Sequence, residues 1–134
     1  MKHVINLFLF SLLVLMLNSC KKDEGKKPII EFRTGANYTS SDATVPGGTV
    51  VTIGIHAAKA EDQDVLMKFN ASIFLEGVLA TSDDTELTGA DQDEYNVDYT
   101  FPVPTTPGFH YKLTFTVTNR DGLTNQVSLT LTAN

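Results

Sequence analysis

Tyr111-Lys112-Leu113-Thr114-Phe115-Thr116-Val117-Thr118 runs into Asn119-Arg120-Asp121-Gly122 and then into a segment whose apolar residues, Val127, Leu129 and Leu131, again fall at every second position. Successive side chains of an extended strand point to opposite faces, so each half of this stretch has one apolar and one polar face. Asp121-Gly122 supplies the positive backbone angles a tight turn needs. The whole predicts a β-hairpin at the C-terminal end of the chain.

The same period of two recurs upstream. Val51, Ile53, Ile55 and Ala57 alternate with Thr52, Gly54 and His56. Met67, Phe69, Ala71, Ile73 and Leu75 alternate with Lys68, Asn70, Ser72 and Phe74, and Tyr95, Val97, Tyr99 and Phe101 with Asn96, Asp98 and Thr100. Each pattern predicts a strand buried on one face and wet on the other. With Ile29 to Phe32, a short piece near Thr44 to Val45 and a weak strand near Val78 to Thr81, about seven or eight strands are expected. Strands at that spacing, with no helical period, predict an all-β chain folded as a two-sheet antiparallel β-sandwich.

The N-terminal end carries a different grammar. Lys2 and His3 precede an apolar run from Val4 to Leu17, broken only by Asn6 and Ser11. That run is shorter than the ~20 residues needed to cross a bilayer, and it has the layout of a signal peptide over residues 1–19. It ends on Leu17-Asn18-Ser19-Cys20, which resembles the lipobox of bacterial lipoproteins. The resemblance implies cleavage before Cys20 and acylation of its sulfur. Cys20 is the one cysteine in the sequence, so the chain has no internal disulfide and no thiolate-pair metal site. Each buried methylene of an acyl chain contributes about 0.8 kcal/mol, and several chains make a durable membrane anchor.

Residues 20–27, Cys20-Lys21-Lys22-Asp23-Glu24-Gly25-Lys26-Lys27, lack side chains that could pack and read as a lipidated, solvated tether. Within it, Lys22-Asp23-Glu24 resembles the export signal of Bacteroidetes surface lipoproteins. That resemblance implies an outer-membrane location facing the exterior. Residues 28–134 are then a single domain, large enough to bury roughly 65% of its unfolded surface without disulfides. From Pro28 onward five Lys or Arg face fourteen Asp or Glu. Such an acidic domain repels phosphate backbones, which argues against nucleic acid as a partner, while the tether's lysines suit anionic head groups.

Pro107-Gly108-Phe109-His110 and the hairpin that follows resemble the last hairpin of bacterial immunoglobulin-like and polycystic-kidney-disease-type domains. Tyr111 stands two residues before Leu113, as the tyrosine-corner residue stands two before the second core cysteine of antibody domains. The resemblance implies that Leu113 faces Ile53 across the sheets and that Phe69 fills the place of the buried tryptophan. These residues would pin the core in place of a disulfide. Taken from lipobox to closing hairpin, the sequence is similar to single-domain immunoglobulin-like lipoproteins of Bacteroidetes.

Few residues suggest chemistry. After Cys20 the only histidines are His56 and His110, at no metal-ligand spacing, and phosphate loops, nucleophile elbows and His-Glu-Xaa-Xaa-His motifs are missing. The chain therefore reads as non-enzymatic and free of cofactors beyond the lipid at Cys20. Acidic clusters offer a calcium alternative, with Asp91, Asp93 and Glu94 joined by Asp83 or Asp84. Phe74, on the polar face with Asn70, could stack on a sugar ring. The expected function is a monomeric, lipid-anchored binding or accessory module for a glycan, protein or envelope complex. The alternatives are an adhesin-type subunit that pairs through an edge strand and a calcium-stabilised spacer.

Overall fold

The computed structural model describes residues 25–134, so Cys20 and the Lys22, Asp23 and Glu24 signal lie outside the described residues. Eight strands form: β1 (Ile29–Phe32), β2 (Ala43–Val45), β3 (Val50–Ala58), β4 (Leu66–Leu75), β5 (Val78–Glu86), β6 (Glu94–Pro102), β7 (His110–Asn119) and β8 (Thr124–Ala133). A 3-10 turn, Gly89–Gln92, separates β5 from β6. One sheet has the order β1-β3-β6 and the other β2-β8-β7-β4-β5. This is the expected immunoglobulin-like sandwich, with one departure from a purely antiparallel layout: β2 pairs parallel to β8.

The alternating apolar residues face each other between the sheets. Ile53 and Ile55 from β3 and Leu113 and Val117 from β7 are fully buried, as are Leu129 and Leu131 from β8. Phe115 is the hub of an aromatic group, edge-on to Phe32 (6.3 Å) and Tyr99 (5.3 Å) and stacked with Phe69 (6.1 Å). Ile53, Phe69, Tyr111 and Leu113 thus all belong to one buried cluster. Tyr111 packs its ring on Phe101 at 5.5 Å. Its hydroxyl makes no hydrogen bond among the described residues, so it fills space without the tie that defines a tyrosine corner.

Two strands differ from their expected form. In β4 the register shifts between Leu66 and Lys68, which puts Leu66 in the core and leaves Met67 exposed. A bulge of this kind inserts one residue and reverses the facing of everything before it. β5 is nine residues long rather than four, and every one is exposed. It is the edge strand of its sheet and pairs only with β4.

Candidate functional site

The outer face of the smaller sheet is partly occupied by its own chain. The segment after β1 follows β3, with Arg33 N donating to Gly54 O (2.8 Å) and Thr39 N to Thr52 O (2.8 Å). Arg33 lies over the Tyr38 ring at 4.9 Å and donates to Asp98 Oδ1 at 2.9 Å. A Cβ on Gly54 would come within 2.9 Å of Arg33 Cβ and the Tyr38 ring, so the missing side chain makes room for this cover.

The outer face of the five-stranded sheet has no such cover and is paved with hydroxyl and amide groups. In register, Asn70 stands between Asp84 and Thr116, and Ser72 between Ser82 and Thr114. Thr114 and Thr116 stand opposite Ser128 and Gln126. Asn70 Nδ2 donates to Ser82 Oγ (2.9 Å) and Asp84 Oδ1 (2.8 Å), and Ser72 Oγ donates to Asn70 Oδ1 (2.6 Å). Phe74 follows on the same face, half-buried, with Leu79 and Lys112 as its cross-strand neighbours. Asn70 and Phe74 therefore share one surface, as expected, although Asn70 already spends its amide on β5.

At one end of this face, β2, β8 and β7 border a groove of about 390 Å³ lined by Asp42, Ala43, Thr44, His110, Thr130 and Thr132. Asp42 is fixed by Thr130 N, which donates to its Oδ1 at 2.7 Å. His110 is fixed from the other side. Its backbone N–H donates to Glu76 Oε1 (2.6 Å), and its Nδ1 lies 3.1 Å from the same oxygen. Those bonds, the backbone one foremost, hold the Glu76 carboxyl below its ordinary value. Glu76 and Gly77 form the two-residue turn between β4 and β5 with φ of 49° and 82°. Positive φ at both central residues is what a two-residue hairpin turn of this hand requires.

The calcium candidates are dispersed. Asp83 and Asp84 lie within strand β5 rather than in a loop, and alternation sends them to opposite faces. Asn70, then Lys68, draws the Asp84 carboxyl below its ordinary value. Asp91 sits in the 3-10 turn. Asp93 pairs with Lys59 Nζ at 2.6 Å, while Glu94 accepts from Asn96 Nδ2 at 3.0 Å. Glu94 belongs to the smaller sheet and Asp84 to the larger. Among the described residues no group of three or more His, Cys, Asp or Glu side chains is arranged to hold a metal ion. His56, on β3, and His110, on β7, belong to different sheets and do not meet.

Sequence reasoning missed the groove because its residues come from three distant segments. One signal was present: Thr124, Gln126, Ser128, Thr130 and Thr132 are the polar half of the β8 alternation.

The opposite end of β7 holds the start of the domain. Asn119 Nδ2 donates to buried Asp64 Oδ2 (2.6 Å) and to Lys26 O (3.2 Å), and Asn125 Nδ2 donates to Pro28 O (2.9 Å). The chain preceding β1 therefore enters beside the β7–β8 turn. At that turn only Gly122 takes a positive φ, 80°, where Asp121 had been expected to share it. β7 spans nine residue steps between Asn119 and His110, which separates this entry point from the groove by about 30 Å.

No protein-family model matches the sequence, and no curated protein matches it. Solved structures do resemble the fold. The CARDB domain of a Pyrococcus furiosus protein, crystallised in complex with di-metal ions, is 11% identical at a TM-score of 0.50, covering 87% of this chain and 100% of that one. An ASH/PapD-like domain of human CEP192 is 16% identical at a TM-score of 0.51, covering 87% of this chain and 92% of that domain. A superoxide reductase (neelaredoxin) variant from Ignicoccus hospitalis is 12% identical at 0.50, covering 87% of each chain. At these identities the shared property is the immunoglobulin-like sandwich fold.

Proposed function

We propose that this chain is a lipid-anchored, non-catalytic binding module of a bacterial cell surface, and that it binds a neutral glycan over the outer face of its five-stranded sheet. The observation that carries the reading is that face itself: exposed and half-buried Thr, Ser, Asn and Gln side chains around a buried Thr114, with an aromatic ring, Phe74, at the edge. Hydroxyls and amides donate and accept, which matches a sugar's many hydroxyl groups, and a half-buried ring supplies an apolar plane for a pyranose face. An acidic domain disfavours anionic polymers, so a neutral glycan suits it better than a uronate-rich or sulfated one.

Anchoring follows from Cys20 as the resemblance to the lipobox implies it. Acylated there, the domain would hang from the membrane by a few tether residues at its Lys26 end, with the groove end turned away. The edge-pairing alternative meets an obstacle in β5, whose exposed edge carries Asp83, Asp84 and Glu86. Charges along an edge oppose the addition of another strand.

The test is affinity electrophoresis of the full-length, detergent-extracted protein in native gels cast with neutral polysaccharides: a β-glucan, a mannan and a starch. Retardation in at least one gel, largely lost in Phe74→Ala, is the expected result. Equal mobility in all of them, or retardation untouched by Phe74→Ala, contradicts the reading. In parallel, labelled palmitate should enter the parent protein and not Cys20→Ala, which should leave the membrane fraction.

A further inference from the structure

We infer that the groove between Asp42, Thr44, His110, Thr130 and Thr132 is a subsite that takes one pyranose ring of a neutral oligosaccharide. The inference deepens the glycan reading and rests on it. Its first support is the chemistry of the lining. Asp42 gives one carboxylate oxygen to Thr130 N and keeps the other, Oδ2, without a protein partner among the described residues. His110 engages Glu76 through Nδ1, which leaves Nε2 directed elsewhere. The hydroxyls of Thr44, Thr130 and Thr132 make no hydrogen bonds to other side chains or backbone among the described residues. One strong acceptor, one ring nitrogen and three hydroxyls thus border a space of about 390 Å³. A sugar ring presents donors and acceptors in comparable density.

The second support is preorganisation. Asp42 is held by a backbone N–H and His110 by the turn residue Glu76, whose φ of 49° the two-residue turn requires. Side chains fixed before the ligand arrives lose less entropy on binding it.

The third support is position. The groove opens onto the same paved face as Phe74: Thr130 stands opposite Lys112, and Lys112 opposite Phe74. Neighbouring strands are about 4.8 Å apart, so Thr130 and Phe74 are separated by about 10 Å along one line across the sheet. An oligosaccharide seated in the groove can therefore continue over Lys112 and stack a later ring on Phe74. The free carboxylate oxygen of Asp42 repels uronic acids and sulfated sugars from the groove itself.

The experiment is saturation-transfer difference NMR on the full-length protein in detergent, with maltohexaose, cellohexaose, mannohexaose and laminarihexaose as probes and oligogalacturonate as the anionic comparator. Thr44→Val with Thr132→Val removes two groove hydroxyls and keeps their volume. Thr100→Val removes one on the outer face of the smaller sheet, away from the proposed surface. Circular dichroism melting establishes that each variant is folded. At least one neutral hexasaccharide should bind, and the double variant should weaken its Kd about tenfold while Thr100→Val leaves it within about twofold. Unchanged affinity in the double variant overturns the subsite, and if Phe74→Ala still abolishes binding then the sheet-face reading survives it. No binding of any neutral probe overturns both. Tighter binding of oligogalacturonate overturns the ligand class.

Discussion

Phe115→Ala should be the most damaging single truncation in the domain. The ring is 1% exposed and touches aromatic partners from both sheets: Phe32 and Tyr99 on the smaller, Phe69 on the larger. Removing a fully buried phenyl group typically costs about 3–5 kcal/mol, combining lost transfer energy with the cavity left behind. Aromatic pairs contribute about 0.5–1.5 kcal/mol each beyond their area, and three are lost here, so the upper part of that range applies. A domain of this size has about 5–15 kcal/mol in total, so the variant should fold but only marginally. Its melting temperature should fall by about 15–25 °C. The chain has no Trp, so circular dichroism or tyrosine fluorescence with urea must report the transition. Phe115→Leu should cost about 1–2 kcal/mol and Phe109→Ala, at an exposed site, less than about 0.5. A loss below about 1 kcal/mol in Phe115→Ala would refute the claim that this ring joins the two sheets.

Gly54→Ala should destabilise by about 1–3 kcal/mol in urea titrations, because the new methyl collides with Arg33 and Tyr38. The measurement fails the account if the variant is as stable as the parent. Asn119→Ala strips buried Asp64 of one hydrogen bond and Lys26 of its tie. We expect a loss of about 1–3 kcal/mol and faster amide exchange at Leu123, whose N–H donates to Asn119 Oδ1 at 2.8 Å, and normal exchange there would contradict the role given to this side chain. Burial, then the nearby Asp91 and Asp83, raises Tyr95 and Tyr99 above the usual tyrosine value. Their neutral forms are favoured in the fold, so the stability they contribute is full below the unfolded tyrosine pKa and is lost as pH rises through the folded values. Absorbance at alkaline pH should lose a late-ionising component in Tyr95→Phe and in Tyr99→Phe; a late component that persists unchanged in both would dismiss the effect.

Strands with a buried face were legible in the sequence because burial imposes a period of two. β1 matches its expected bounds, and the alternations of β3, β6, β7 and β8 face as expected. Met67 was misplaced because a bulge changes facing without changing composition. β5 was cut short because neither of its faces is buried, so its sequence, Val78-Leu79-Ala80-Thr81-Ser82-Asp83-Asp84-Thr85-Glu86, carries no period to detect. The same fact explains the calcium candidates: Asp83 and Asp84 look like a loop cluster until pairing with β4 sends them apart. Asn70 and Phe74 were singled out in the sequence because Phe74 broke a polar pattern on one strand. The groove was not, because Asp42, His110 and Thr132 meet only through the parallel pairing of β2 with β8, a contact with no local signature.

Hydroxyl-radical footprinting of the detergent-solubilised protein, with and without a neutral polysaccharide that retards it, reads the proposed surface side chain by side chain. Oxidation should drop at Phe74, Leu79 and His110, on the larger sheet, and stay unchanged at Tyr38 and His56, on the smaller one. Protection confined to Tyr38 and His56, or none at Phe74 and His110, would contradict the account.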